Sequence, residues 1–213
     1  MKHSKKMVFI SLLSCIAGAS DLPKGFEKPG FIEELKTGKV IMETPVSSST
    51  ELIQIVRAYF KSVNTEHYIE LAINHEKYGL MFKDGSPRIK SASTVNVNPE
   101  KTEYEYALLV EADGPLNSVF EVKATGKQTV FRAESELLES KIENILTSHK
   151  DKFIRATQDT RIIPFEDGLL VEDRFQIILK QISSTTTILK KQLGVLFSRF
   201  PDAFRKELGA EPQ

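Results

Sequence analysis

Two hydrophobic periods alternate along this chain of 213 residues. Residues 40–46 form a β-branched run that reads as a strand. Behind it, Leu52, Val56, Tyr59 and Val63 recur at steps of four, three and four, with Ile53 and Phe60 beside them. That spacing predicts a helix over 52–63, with Ser48 or Ser49 placed to cap it. A second helix is expected over 65–75, with Tyr68, Leu71 and Ala72 inward. The period then drops to two. Residues 88–97 and 102–112 alternate as strands around the turn Asn98-Pro99-Glu100-Lys101, and Tyr104, Tyr106, Leu108 and Val110 share one face opposite Glu103, Glu105 and Glu111. Asp113-Gly114-Pro115 reads as the next turn.

Residues 119–124 and 129–134 suggest a hairpin across Thr125-Gly126-Lys127. In 135–149, Leu138, Ile142, Ile145 and Leu146 fit helical spacing. Residues 153–163 and 169–182 form another expected hairpin, across Pro164-Phe165-Glu166-Asp167-Gly168. The closing helix begins near Ser184, behind several candidate caps, and carries Ile188, Leu189, Leu193, Leu196, Phe197, Phe200 and Phe204. Pro201 should kink or restart it, because proline lacks the amide donor a continuous helix needs.

The N-terminus changes the picture from fold to address. Lys2, Lys5 and Lys6 precede an apolar run from Met7 to Leu13, and Ala17-Gly18-Ala19 places small residues ahead of Ser20. This is the layout of a secretory signal peptide cleaved between Ala19 and Ser20, and it implies a periplasmic or secreted protein. Leu12-Leu13-Ser14-Cys15 also resembles the lipobox of bacterial lipoproteins. The alternative is therefore acylation of Cys15 and a membrane-anchored lipoprotein. No apolar run reaches the ~20 residues a membrane span requires. The organisation expected is signal peptide 1–19, irregular lead-in 20–36, one domain over 37–207 and a tail over 208–213.

Residues 1–19 hold three lysines and no acid, so removing them takes the chain from 29 basic and 29 acidic side chains to 26 and 29. So nearly balanced a charge gives no field drawing the protein to nucleic acid. Cys15 is the only cysteine, and a chain cut after Ala19 has no disulfide, thiolate metal site or cysteine nucleophile. His67, His75 and His149 lack zinc-ligand spacing and read as ordinary surface histidines. No Gly-x-Ser-x-Gly elbow or phosphate-cradling glycine cluster is present. Neither a metal nor a cofactor is expected.

The element order is a strand, two helices, antiparallel strands with one extra helix, and a long closing helix. It resembles the helix-grip superfamily: START lipid-transfer domains, the birch pollen allergen family and polyketide cyclase-like proteins. The resemblance covers residues 37–207. It implies an α+β fold, a curved antiparallel sheet gripping a long C-terminal helix, with an apolar cavity between them; the helix expected at 135–149 departs from that pattern and is a helical insertion between strands. The superfamily shares no catalytic signature, so no functional residue is carried over.

Four residues are candidates for the wall of such a cavity. Asp173 shares a strand face with Leu169, Val171, Phe175, Ile177 and Leu179, where a carboxylate needs a partner. It is either a polar handle or base, or a structural residue solvated or paired with Arg174 or Arg155. Tyr104 and Tyr106 either pack or touch a ligand, and Gly194 either opens room in the closing helix or allows close packing. The implied function is binding of an apolar or amphipathic small molecule such as a lipid. The alternatives are a cyclase- or hydrolase-type enzyme using Asp173 with tyrosine hydroxyls, and an interaction protein with a filled core, partnered through 135–149.

Overall fold

One antiparallel sheet of eight strands organises the computed structural model, which describes residues 22–113, 119–131, 140–148, 154–180 and 182–210. The signal sequence, Cys15 and the turn at 114–115 lie outside the described residues. The strands are β1 (Ile41–Ser47), β2 (Glu51–Lys61), β3 (Arg88–Val97), β4 (Glu103–Asp113), β5 (Val119–Phe131), β6 (Ser140–Ser148), β7 (Ile154–Phe165) and β8 (Gly168–Leu179). Their order is β1-β2-β8-β7-β6-β5-β4-β3. Both edge strands carry register shifts, β1 between Glu43 and Val46 and β3 at two places, and such bulges bend a strand and increase its twist.

The helices are α1 (Phe31–Lys36), α2 (Thr65–Ile73), α3 (Tyr78–Met81), α4 (Ser184–Ser198) and α5 (Phe200–Leu208), with a 3₁₀ turn at His75–Lys77. The side chain of Asn64 caps α2 by accepting from the His67 amide at 2.8 Å. Ser183 and Thr186 form a reciprocal capping box on α4. As expected, the C-terminal helix breaks at Pro201: α4 ends at Ser198, and α5 restarts with the proline in its first turn, where its missing amide is tolerated.

α4 and α5 lie against the inner face of β2 and β8. The Phe175 ring of β8 stacks on Phe197 at 4.2 Å and 4°. Phe200 meets Tyr78, Phe82, Phe175, Phe197 and Phe204, with ring centroids 4.5–6.1 Å apart. These rings join α3, α5 and the sheet in one core.

A second, smaller core lies on the outer face. Phe26, Phe31, Ile32 and Leu35 pack on Tyr59, Ile163 and Leu170. The stretch read as an irregular lead-in thus contains α1, and it covers the outside of β2, β7 and β8. Arg57 is buried there, pairing with Glu172 at 2.6 Å and Glu43 at 2.9 Å, its guanidinium over the Phe26 and Phe31 rings.

Three expectations fail. Residues 52–63 do not form a helix: β2 runs through them, paired with β8 from Glu51 to Lys61. Its inner side chains meet the C-terminal helices and its outer ones meet residues 26–35, so both faces are apolar and the period of two is obscured. Ser48, the expected helix cap, instead accepts from the Glu51 amide in the β1–β2 turn. The hairpin across Thr125-Gly126-Lys127 is absent, since β5 runs straight through Gly126. Residues 140–148 are not helical either. β6 fills the gap between β5 and β7 and pairs with both. The helical segments between strands are α2 and α3, while residues 135–139 and 149 of the expected helix lie outside the described residues.

Replacing Phe200 with alanine should lower the unfolding free energy by about 3–5 kcal/mol, the usual loss for a large buried aromatic. Urea denaturation measures this, and a loss below about 1 kcal/mol would show that the C-terminal helices are peripheral to the fold.

Candidate functional site

The site follows from strand parity on the inner face. Ala156, Gln158, Thr160 and Ile162 of β7 point inward, as do Ala124, Gly126, Gln128 and Val130 of β5 and Tyr104, Tyr106, Leu108 and Val110 of β4. Between this surface and the helices lies a hollow of about 40 Å³. Ile89, Leu108, Val110 and Ala156 line it from the sheet, Leu193, Leu196, Phe197 and Phe200 from the helices, and His75, Tyr78, Tyr106 and Gln158 add polar groups. A smaller hollow of about 10 Å³ shares Tyr78, Gln158 and Phe200 with it and adds Tyr68, Gln128, Thr160 and Phe204. As they stand, these spaces suit a few waters. A larger apolar guest enters only if lining side chains move apart.

The polar groups are held firmly. His75 is buried, its ring stacked on Tyr106 at 4.3 Å and its Nδ1 3.0 Å from the Thr94 hydroxyl. Burial lowers His75 to about 4, while the charge of Glu76 and the nearby Gln128 amide pull the other way, so the ring is neutral near pH 7. Burial also raises the Tyr68, Tyr78 and Tyr106 phenols well above their ordinary range. Tyr78 donates to the Ala72 carbonyl at 2.6 Å.

No protein-family profile matches the sequence, and no curated protein matches it either. Solved structures do. The chain is similar to the STAR-related lipid transfer protein (fragment 25-204) of Xanthomonas axonopodis, with TM-score 0.52 and 13% identity over 78% of this chain and 98% of that one. Human STARD10 is similar at TM-score 0.51 and 11% identity, covering 87% and 79%. The Zhui aromatase/cyclase of Streptomyces sp. R1128 gives TM-score 0.51 and 7% identity, covering 78% and 93%. This protein has the helix-grip fold. At these identities the likeness is one of fold alone.

Within the helix-grip frame the four sequence candidates separate. Tyr106 lines the larger hollow. Its ring lies over Gly126, its partner on β5, where a Cβ would stand 2.3 Å from the Tyr106 Cζ. The glycine that resembled a turn is thus a mid-strand seat for an aromatic ring. Tyr104 shares its face but is not among the residues lining either hollow, and its hydroxyl donates to the Lys101 carbonyl at 2.8 Å. Gly194 serves close approach: a Cβ there would stand 2.9 Å from Leu52 of β2.

Asp173 faces inward, as its register predicted, yet it is fully buried behind the lining residues. It lies opposite Thr160, which donates to it at 2.5 Å, and Gln158 Nε2 donates at 3.0 Å. The expected arginine partners fail on parity. Arg174 is the next residue on the same strand and Arg155 occupies an odd position of β7, so both point to the outer face.

The sequence reading missed His75, Gln128, Gln158 and Thr160. Buried His75 is not the surface histidine expected. A period-two count along 156–162 would have flagged Gln158 and Thr160, and reading β5 as one strand would have flagged Gln128. His75 leaves no such signal, because a 3₁₀ turn has no periodic face. Among the described residues, no cluster of His, Cys, Asp or Glu could hold a metal ion, and no helix is long and apolar enough to cross a membrane.

Burial raises Asp173 from 3.8 to about 6, against the donors from Thr160 and Gln158. Between those values the folded state holds the extra proton, so this group's stabilisation is lost as pH rises through 6. His75 falls from 6.5 to about 4. There the unfolded chain holds the extra proton, so stabilisation from the neutral ring is lost as pH falls through 4. The two effects are about 3 kcal/mol each and oppose one another. Asp173→Asn should therefore make stability rise about 3 kcal/mol more steeply than wild type between pH 4 and 6. Urea denaturation at stepped pH reads this directly, and parallel curves would mean that Asp173 does not titrate in this window.

Proposed function

We propose that this protein binds an apolar or amphipathic small molecule, such as a lipid, between the inner face of its sheet and its C-terminal helices. The observation that carries this reading is the hollow itself. Its lining is mainly aliphatic and aromatic, and its few polar side chains are buried, the composition of a small-molecule site. One of the similar folds is described as a STAR-related lipid transfer protein, which agrees with an apolar guest. Binding parts Leu193, Leu196 and Phe197 from the sheet, and each methylene taken from water contributes roughly 0.8 kcal/mol.

An enzyme of the cyclase type is the weaker reading. Asp173, the only carboxylate on the inner face of β8, is shielded from the hollow by Thr160 and Gln158, so it is poorly placed to take a proton from a guest.

Ala156 gives the test. Its methyl points into the larger hollow from β7, and leucine there fills the space a guest would use. Overpacking costs about 1–3 kcal/mol. Ala156→Leu should remain folded while losing more than tenfold in uptake of a neutral apolar dye such as Nile red. Unchanged uptake would place binding elsewhere and reject the cavity.

The same proposal places the protein outside the cytoplasm, processed between Ala19 and Ser20, on the strength of the basic start, the short apolar run and the small-residue site. Residues from Leu22 onward carry the outer core, so this cut leaves that core whole. Intact-mass analysis of protein from the native host should give a chain beginning at Ser20. An acylated chain beginning at Cys15 would replace this reading with the lipoprotein one, and an uncut chain would reject export.

A further inference from the structure

The polar lining of the hollow specifies its guest more narrowly. Gln128 is buried to 1% exposure on the inner face of β5. Its Nε2 donates to the Ala72 carbonyl at 3.3 Å, which fixes the orientation of the amide. Its Oε1 is then a buried acceptor with no hydrogen-bond partner, at the smaller hollow. The Gln128 amide lies close enough to the His75 ring to raise its pKa, while Gln128 Oε1 stays outside hydrogen-bond geometry. His75 itself is fixed, with Nδ1 on the Thr94 hydroxyl and one ring face on Tyr106.

The charges around this point are equally selective. Neither hollow has a lysine or arginine among its lining residues. Arg57, Arg155, Arg161 and Arg174 of the underlying strands all occupy outer-face positions. Behind Thr160 and Gln158 stands the Asp173 carboxyl. An anionic headgroup here would be desolvated without a counterion and would face a like charge.

Resting on the binding reading above, we infer that the guest carries an uncharged hydroxyl, which donates to Gln128 Oε1 beside His75, and that carboxylate and phosphate headgroups are rejected. A hydroxyl carries a donor without a charge, so it can fill the empty acceptor. An ether of the same length can only accept and leaves Oε1 bare.

A matched series of short chains tests this: 1-octanol, octyl methyl ether and octanoate, each titrated into the full chain at pH 7 by ligand-observed NMR. Octanol should bind on the order of tenfold more tightly than the ether, the size of one buried hydrogen bond, with octanoate weakest. Gln128→Leu should abolish the advantage of octanol and leave the ether unchanged. The wild-type comparison stands by itself if that variant does not fold. Equal binding of octanol and ether would mean that water already satisfies Oε1, and would overturn the hydroxyl while leaving the cavity in place. Octanoate binding most tightly would overturn the exclusion of anions. Binding of none of the three would overturn the cavity reading together with the inference.

Discussion

The stack of Phe175 on Phe197 is the contact on which this architecture turns. It holds α4 across β8 at a fixed height, and from there Phe200 and Phe204 carry the helix on to Tyr68 and Tyr78. Offset and edge-on ring contacts are directional as well as apolar, so this row sets the angle of the helix as well as its burial. The hollow exists because the rings seat the helix over β2 and β8, while the inner face of β7 presents only Ala156 and Gln158 to it. Support at one side and a short side chain at the other leave the space between.

The central strands are covered on both faces, by the C-terminal helices inside and by residues 26–35 outside. Arg57 and Arg205 serve that arrangement. Arg205 is buried and donates to the Tyr59 carbonyl at 3.1 Å and to the Gly38 carbonyl at 2.6 Å, tying α5 to the end of β2 and to the segment leaving α1. Arg57 ties the outer helix region to β8 and β1 through Glu172 and Glu43. Buried guanidinium groups with every neighbour an acceptor or a ring act as fasteners of geometry more than as sources of net stability. They leave the cations of these strands on the outside and the hollow without a positive charge.

The polar residues at the hollow form two groups that differ in their hydrogen bonding. Asp173, Thr160 and Gln158 are hydrogen-bonded to one another. Gln128, in contrast, is buried with its Oε1 unpaired. A satisfied group specifies the core, whereas an unsatisfied buried acceptor is costly unless something fills it. The contrast directs attention away from the carboxylate, the residue that chemistry alone would select, and toward an uncharged amide.

Much of the element pattern was legible in the sequence: β3, β4, the β7–β8 hairpin, α2, and a C-terminal helix broken at Pro201. These are segments with one largely polar face, where alternation or a 3.6-residue period survives, or where proline leaves no choice. The inward register of Asp173 and the shared face of Tyr104 and Tyr106 were legible for the same reason. β2 was not, because two cores cover it and both its faces are apolar. β6 was not, because Ile142, Ile145 and Leu146 match helical spacing and only pairing with β5 and β7 makes the segment a strand. Gly126 looked like a turn until Tyr106 from the neighbouring strand was laid over it. The site was less legible still. It is an assembly of His75 from a 3₁₀ turn, Gln128 from β5 and Gln158 from β7, distant in sequence, which only the folded sheet and the helix seated on it bring around one space.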